Sequence, residues 1–178
     1  SFTTLIKASH IQDEWFKLEM EIVRKLNYTP GYLFNRKAEQ LGKKTLFSFK
    51  KGRQWQQQSW SAVRQSVNHL AAALIDLMGS TSPRIAILSE NRLEVAITDK
   101  ACLTHGFVNV PIQPAAPPAQ IEYILAHAEI EGIFISDSQH LRSIESILPN
   151  LPAIKHIITY NSVATTNPLV KSYKRLLD

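Results

Sequence analysis

From residue 61 onward, helical apolar stripes alternate with short continuous apolar runs, and this alternation constrains the fold more than any other feature of the chain. Strands that are apolar along their whole length need cover on both faces, whereas helices of this kind have one apolar face to bury. The arrangement that satisfies both is a mostly parallel sheet flanked by helices, each strand joined to the next by a helical crossover. Ser61 stands where it can cap a helix carrying Val63, Val67, Leu70, Leu74 and Leu77 on one face, stopped by Gly79. Residues 84 to 88 read as a strand. A helix is expected over 91 to 105, with Leu93, Ala96, Ile97, Ala101 and Thr104 inward and Gly106 ending it.

Residues 107 to 112 form the second predicted strand. Pro114 to Pro118 then make a rigid turn that opens a helix bearing Ile121, Ile124, Leu125 and Ala128. A third strand is expected over 132 to 136, and Asp137 or Ser138 can cap a helix with Leu141, Ile144 and Leu148. Pro149 and Pro152 close that helix before a fourth strand over 154 to 160.

The first sixty residues follow another rule. Trp15, Leu18, Ile22 and Leu26 have helical spacing behind a possible cap at Asp13, and Tyr28-Thr29-Pro30-Gly31 breaks the pattern. A shorter helix over 32 to 41 stops at Gly42. Thr45, Phe47 and Phe49 then alternate in strand fashion, and Lys51-Gly52 turns the chain into a returning arm over 54 to 60. The expected organisation is α/β, with 1 to 178 as one unit: helices and a hairpin over 1 to 60, alternating helix and strand over 61 to 160.

At 178 residues, 44% hydrophobic, the chain is long enough for one core. Its formal charge of +5 raises the question of nucleic acid or anionic lipid. The basic clusters, Lys43 with Lys44, Lys50-Lys51-Gly52-Arg53, and Lys171 with Lys174 and Arg175, look scattered over turns and the chain end. They carry no interleaved stacking aromatics of a reading motif, so a solvated surface and no nucleic-acid partner are expected. Cys102 is the only cysteine, which excludes an intrachain disulfide and points to a reducing, cytoplasmic setting. Among apolar helix neighbours it reads as a buried small hydrophobe. No apolar run approaches the roughly 20 residues of a membrane-spanning helix, and no signal peptide is visible. The chain opens on Ser1 and closes at Asp178 after a helix-like stretch, which suggests a piece of something longer.

Tests for catalytic motifs return nothing specific. Gly42-Lys43-Lys44-Thr45 has some of the wording of a phosphate loop, but Lys37 stands where its first glycine should be and the segment leads from helix into strand. The six glycines are too far apart for dinucleotide-binding spacing. His10, His69, His105, His127, His140 and His156 show no paired metal-site spacing and read as ordinary helix or strand residues. His105 suits the carbonyl end of its helix. Glu129 and Glu131 read as a solvated turn. The loops Ser80 to Pro83 and Ser162 to Pro168 lack the glycines of a phosphate cradle, and the first precedes a strand, at the wrong edge for a ligand. No catalytic, cofactor-binding or metal-ligating residue is assigned.

An ordered series over roughly residues 30 to 160 says more than any single motif. Ser59-Trp60-Ser61-Ala62-Val63 precedes an apolar helix, and Ile85-Ala86-Ile87-Leu88-Ser89-Glu90-Asn91-Arg92 ends in an asparagine placed to cap one. Asp99, Ala101, Leu103 and Gly106 lead into Val108-Asn109-Val110-Pro111-Ile112, and Pro114, Pro117, Gln120, Ile121, Tyr123, Ile124, Leu125, His127 and Glu129 follow. In this order and spacing the series resembles the N-terminal part of the adenylate-forming, AMP-binding superfamily, most closely the long-chain acyl-CoA synthetases. Gln113 departs from the pattern, since those enzymes commonly have tyrosine there, and this bears on the substrate class.

The resemblance implies a place in the large N-terminal domain of an enzyme using ATP, Mg2+ and coenzyme A on a fatty acid. The first step gives an acyl-adenylate and pyrophosphate, and coenzyme A then displaces AMP. It also implies that the phosphate loop, the acidic motifs and the catalytic lysine lie beyond these residues, so that this piece alone is inactive and needs no cofactor. Two alternatives stay open: a fatty acyl-AMP ligase or other adenylation domain, separable by sequence beyond Asp178, and a small non-catalytic binding or interaction domain, which a stop codon after Asp178 would favour.

Overall fold

A computed structural model describes residues 12–26 and 29–177. His10 and the side chains of Asp13 and Leu26 lie outside the described residues. Helix α1 (Gln12–Leu26) half-buries Trp15, Leu18 and Ile22, as their spacing requires. Asp13 falls inside this helix, not before it. Helix α2 (Pro30–Leu41) is capped by Thr29, whose side chain accepts from the Tyr32 N–H, and it ends at Gly42 with φ 42°. Strands β1 (Thr45–Lys51) and β2 (Gln54–Ser59) form an antiparallel hairpin around Gly52.

Helix α3 (Trp60–Met78) begins two residues earlier than a cap at Ser61 would place it. The cap is Ser59, not Ser61: its Oγ accepts from the Ala62 N–H at 3.2 Å, and Ser61 lies beyond it with its own Oγ 3.1 Å away. Two backbone bonds explain the shift, Trp60 N–H to the Lys44 carbonyl and Ser61 N–H to that of Gly42, because they lock both residues to the base of the hairpin.

Beyond α3 come β3 (Arg84–Leu88), α4 (Leu93–His105), β4 (Val108–Ile112), α5 (Pro118–His127), β5 (Gly132–Ile135), α6 (Ser138–Ile147), a 3-10 turn (Leu148–Asn150) and β6 (His156–Thr159). A short strand β7 (Val170–Ser172) and helix α7 (Tyr173–Leu176) follow. The parallel sheet has the order β4-β3-β5-β6-β7, five strands where the sequence predicts four. Three residues at an edge show no usable periodicity, which is why β7 escapes a sequence reading.

Strand side chains alternate between two cores. Ile85, Ile87, Phe134 and Ile158 meet α2, α3 and α4 through Phe34, Val63, Val67, Leu70, Leu74, Ile97, Ala101 and Cys102. Ala86, Leu88, Ile133, Ile135 and Ile157 meet α5 and α6 through Ile121, Leu125, Leu141, Ile144 and Ile147. This division follows from the two-residue repeat of a pleated strand covered on both sides. Gly31 lets α2 touch α4: a Cβ there would stand 2.9 Å from the Thr104 Cα.

Candidate functional site

In this sheet the chain leaves β3 toward β4 on one side and leaves β5 toward β6 on the other, while β3 and β5 are neighbours. The loops at their carboxyl ends therefore diverge and open a crevice, the place where sheets of this kind take their ligands. Five polar residues meet there: Ser89 and Glu90 after β3, and Ser136, Asp137 and His140 after β5. Ser136, 2% exposed, donates to Glu90 Oε2 at 2.6 Å and stands 2.8 Å from Ser89 Oγ. His140, 8% exposed, places Nδ1 3.3 Å from Asp137 Oδ1 and Nε2 3.4 Å from the Pro114 carbonyl. Glu90 Oε1 lies 3.9 Å from the same ring. One imidazole thus touches all three loops above β3, β4 and β5.

The electrostatics follow from these contacts. The Ser136 hydroxyl, with help from a backbone N–H, holds the Glu90 carboxyl below the usual carboxylate range. Burial pushes Asp137 up, but the N–H groups of Gln139 and His140 outweigh it and leave that carboxyl below its usual value. These are the bonds by which Asp137, and not Ser138, caps α6.

Beside this cluster lies a cleft of about 560 Å³, walled by Ile87, Val95, Ala96 and Ile112 and edged by Ser89, Asn91, Asp99, Asn109 and Gln113. Its size is that of a small-molecule pocket. Asn109 Nδ2 donates to Asp99 Oδ1 at 2.8 Å, while its Oδ1 is a buried acceptor with no partner.

Arg92 forms the other wall. Its backbone is extended at φ -153°, ψ 167°, so α4 starts at Leu93 and neither Asn91 nor Arg92 caps it through a side chain. This corrects the asparagine cap expected from the resemblance. The guanidinium holds both Glu94 oxygens, at 2.8 and 3.1 Å, and donates to Asn161 Oδ1 at 2.9 Å.

The remaining histidines do not meet in one site. His69 and His127 are exposed, the latter stacked on Tyr123. His105 Nδ1 lies 3.2 Å from the Ala101 carbonyl, at the helix end it was expected to suit. His156 is half-buried, and burial pushes it below its ordinary value. Glu131 pairs with Lys155 at 2.9 Å at the amino edge of the sheet, away from the crevice. Among the described residues no group of three or more His, Cys, Asp or Glu could hold a metal ion. The glycines at positive φ, Gly42, Gly52, Gly79 and Gly106, serve three helix ends and one turn. The described residues therefore do not fit Mg2+ or a triphosphate cradle. His140 was missed because its partners lie 50, 26 and 3 residues away. Only the crossing order of the strands brings them together.

The fold is that of an α/β domain with a crevice at the carboxyl ends of its strands. Residues 34–175 match the family model described as AMP-binding enzyme, and the chain belongs to that family. It is 28% identical over 95 residues to the peroxisomal long chain acyl-CoA synthetase 6 of Arabidopsis thaliana, covering 53% of this chain and 13% of that protein. It is 30% identical over 107 residues to fatty acyl-CoA synthetase A of Dictyostelium discoideum, covering 57% and 15%. The chain thus matches only about a seventh of the length of these relatives. The crystal structure of the anthranilate CoA ligase AuaEII with anthranoyl-AMP superposes with a TM-score of 0.73 at 22% identity, over 84% of this chain and 28% of that one, which shows the shared fold.

Proposed function

We propose that the natural protein carrying these residues is an AMP-forming acid–thiol ligase acting on long-chain fatty acids. The fatty carboxylate attacks the α-phosphorus of ATP and expels pyrophosphate. The thiol of coenzyme A then attacks the acyl carbon, losing its proton, and AMP leaves. The observation that carries the reading is the family match over 34–175. The names of the relatives support the fatty-acid branch. The groups that hold ATP, Mg2+ and coenzyme A belong, in this proposal, to other parts of the protein, in a cytoplasmic setting. These 178 residues alone, as one structural unit, form no acyl-adenylate.

The test is to express the full natural reading frame and measure thioester formation with acetate, octanoate, palmitate and a panel of amino acids. Palmitoyl-CoA is the expected product. Pyrophosphate exchange with amino acids only would defeat the acyl assignment, and palmitoyl-adenylate accumulating without thioester would move the protein to the acyl-AMP ligases. Pyrophosphate release by the 178 residues with ATP, magnesium and palmitate would refute the last part of the proposal.

A further inference from the structure

The net charge of this chain is not scattered. Residues 43 to 59 hold five cations, Lys43, Lys44, Lys50, Lys51 and Arg53, and no acid, leaving fifteen cations against fifteen acids elsewhere. All five are exposed and lie on the β1–β2 hairpin or at its base. Among the described residues none of them forms an ion pair with a carboxylate. Lys50 and Trp55 face each other across the ladder, and Lys50 Nζ sits 5.5 Å from the centre of the Trp55 ring. That indole is 67% exposed. Gly52, with φ 62°, closes the tip, and the base is fixed by the Trp60 and Ser61 bonds to Lys44 and Gly42 and by Leu46 and Phe47 in the core.

We propose that this hairpin tip docks on an anionic lipid surface, with Lys50, Lys51 and Arg53 among the headgroups and the Trp55 indole at the boundary below them. Three observations favour a lipid surface over other polyanions. The tip is a turn at the end of two strands, which suits a flat partner more than a groove-bound strand or peptide. Its one exposed large side chain is an indole, an amphipathic ring that settles at the membrane–water interface. A single aromatic also gives no platform for successive bases. Because the rest of the chain is balanced in charge, its electrostatic attraction to an anionic plane points through the hairpin. The inference stands on charge and exposure and does not rest on the ligase reading.

The experiment measures sedimentation of the full natural chain with phosphatidylcholine vesicles, with and without phosphatidylserine. Binding is expected only with phosphatidylserine and weakens as salt shortens the screening length. Each cation near the surface contributes about fivefold, so K50Q/K51Q/R53Q should lower the partition coefficient by about a hundredfold. K171Q/K174Q/R175Q removes the same charge from β7 and α7, outside the hairpin, and should leave binding nearly intact. W55F should weaken binding and reduce the shift of indole emission seen on adding vesicles, and thermal melts of each variant report whether the fold is kept. Equal losses in the two triple variants, binding unchanged by the hairpin triple, or no binding to phosphatidylserine vesicles at low salt would overturn the proposal. So would retention of a single-stranded oligonucleotide or polyglutamate by a chain that ignores vesicles. Thioester assays with water-soluble octanoate test the ligase reading separately.

Discussion

The guanidinium of Arg92 lies over the ring of Tyr160, 5.2 Å from its centroid, and ties the first turn of α4 to the end of β6. Tyr160 in turn donates from its buried hydroxyl to Thr98 Oγ1 at 2.9 Å, and Thr98 donates to the Glu94 carbonyl at 2.8 Å. Burial pushes the Tyr160 hydroxyl well above its ordinary value, so it stays a donor at any working pH. This circuit holds the crevice wall to the carboxyl end of β6.

Arg92→Ala is expected to destabilise the chain by about 2 kcal/mol, from the lost charged hydrogen bonds and the ring contact. Tyr160→Phe keeps the ring and loses one bond, at a cost of about 1 kcal/mol. Urea unfolding of both variants and the double mutant measures the effects. A coupling energy near zero would show that the two residues act independently.

Asp137→Ala removes the cap of α6 and should cost about 1 kcal/mol, while Asp137→Asn keeps most of the cap. The folded carboxyl titrates below the unfolded value of about 3.9, so its contribution is complete above that pH and is lost as pH falls through the folded value. Stability curves of the wild type and Asp137→Asn should therefore converge in acid. A gap that persists down to the lowest pH at which the fold survives would contradict this assignment.

Ser136→Ala should return the Glu90 carboxyl toward the ordinary range, because the Ser136 hydroxyl is the largest influence lowering it. Carboxyl NMR titration reads the shift directly. No change in Glu90 on losing the hydroxyl would mean that the 2.6 Å contact is not kept in solution.

Cys102 is fully buried, and burial pushes its thiol up to about 12. A thiol in that state is protonated at neutral pH and shielded, so an aromatic disulfide reagent should label it only on unfolding. Rapid labelling of the native chain would place this helix face in solvent.

Gly31→Ala should destabilise by about 1–3 kcal/mol, since the new methyl meets the Thr104 backbone and α2 must move off α4. Gly132→Ala is the contrasting case. Its new methyl meets the Met78 side-chain end, which can rotate away, so a smaller loss in thermal melts is expected.

The sequence reading recovers what repeats along the chain and misses what depends on contacts across it. Strand β3 is recovered residue for residue, and helix stops at Gly42, Gly79 and Gly106 are found because glycine adopts their positive φ most readily. The start of α3 is misplaced because bonds to the hairpin base select Ser59 over Ser61. Helix α4 starts late, after an extended Arg92 whose guanidinium bonds to Asn161, 69 residues away. The same limit hides His140. The five cations of residues 43 to 53, by contrast, stand together in the sequence itself.

The central place of β3 has a consequence for how the chain is made. Both its partners are synthesised after it, and the later one, β5, ends at Ile135, 47 residues beyond Leu88. At about 5–20 residues per second, a ribosome needs roughly 2–10 s to cover that distance. For that interval Ile85, Ala86, Ile87 and Leu88 have at least one open strand edge.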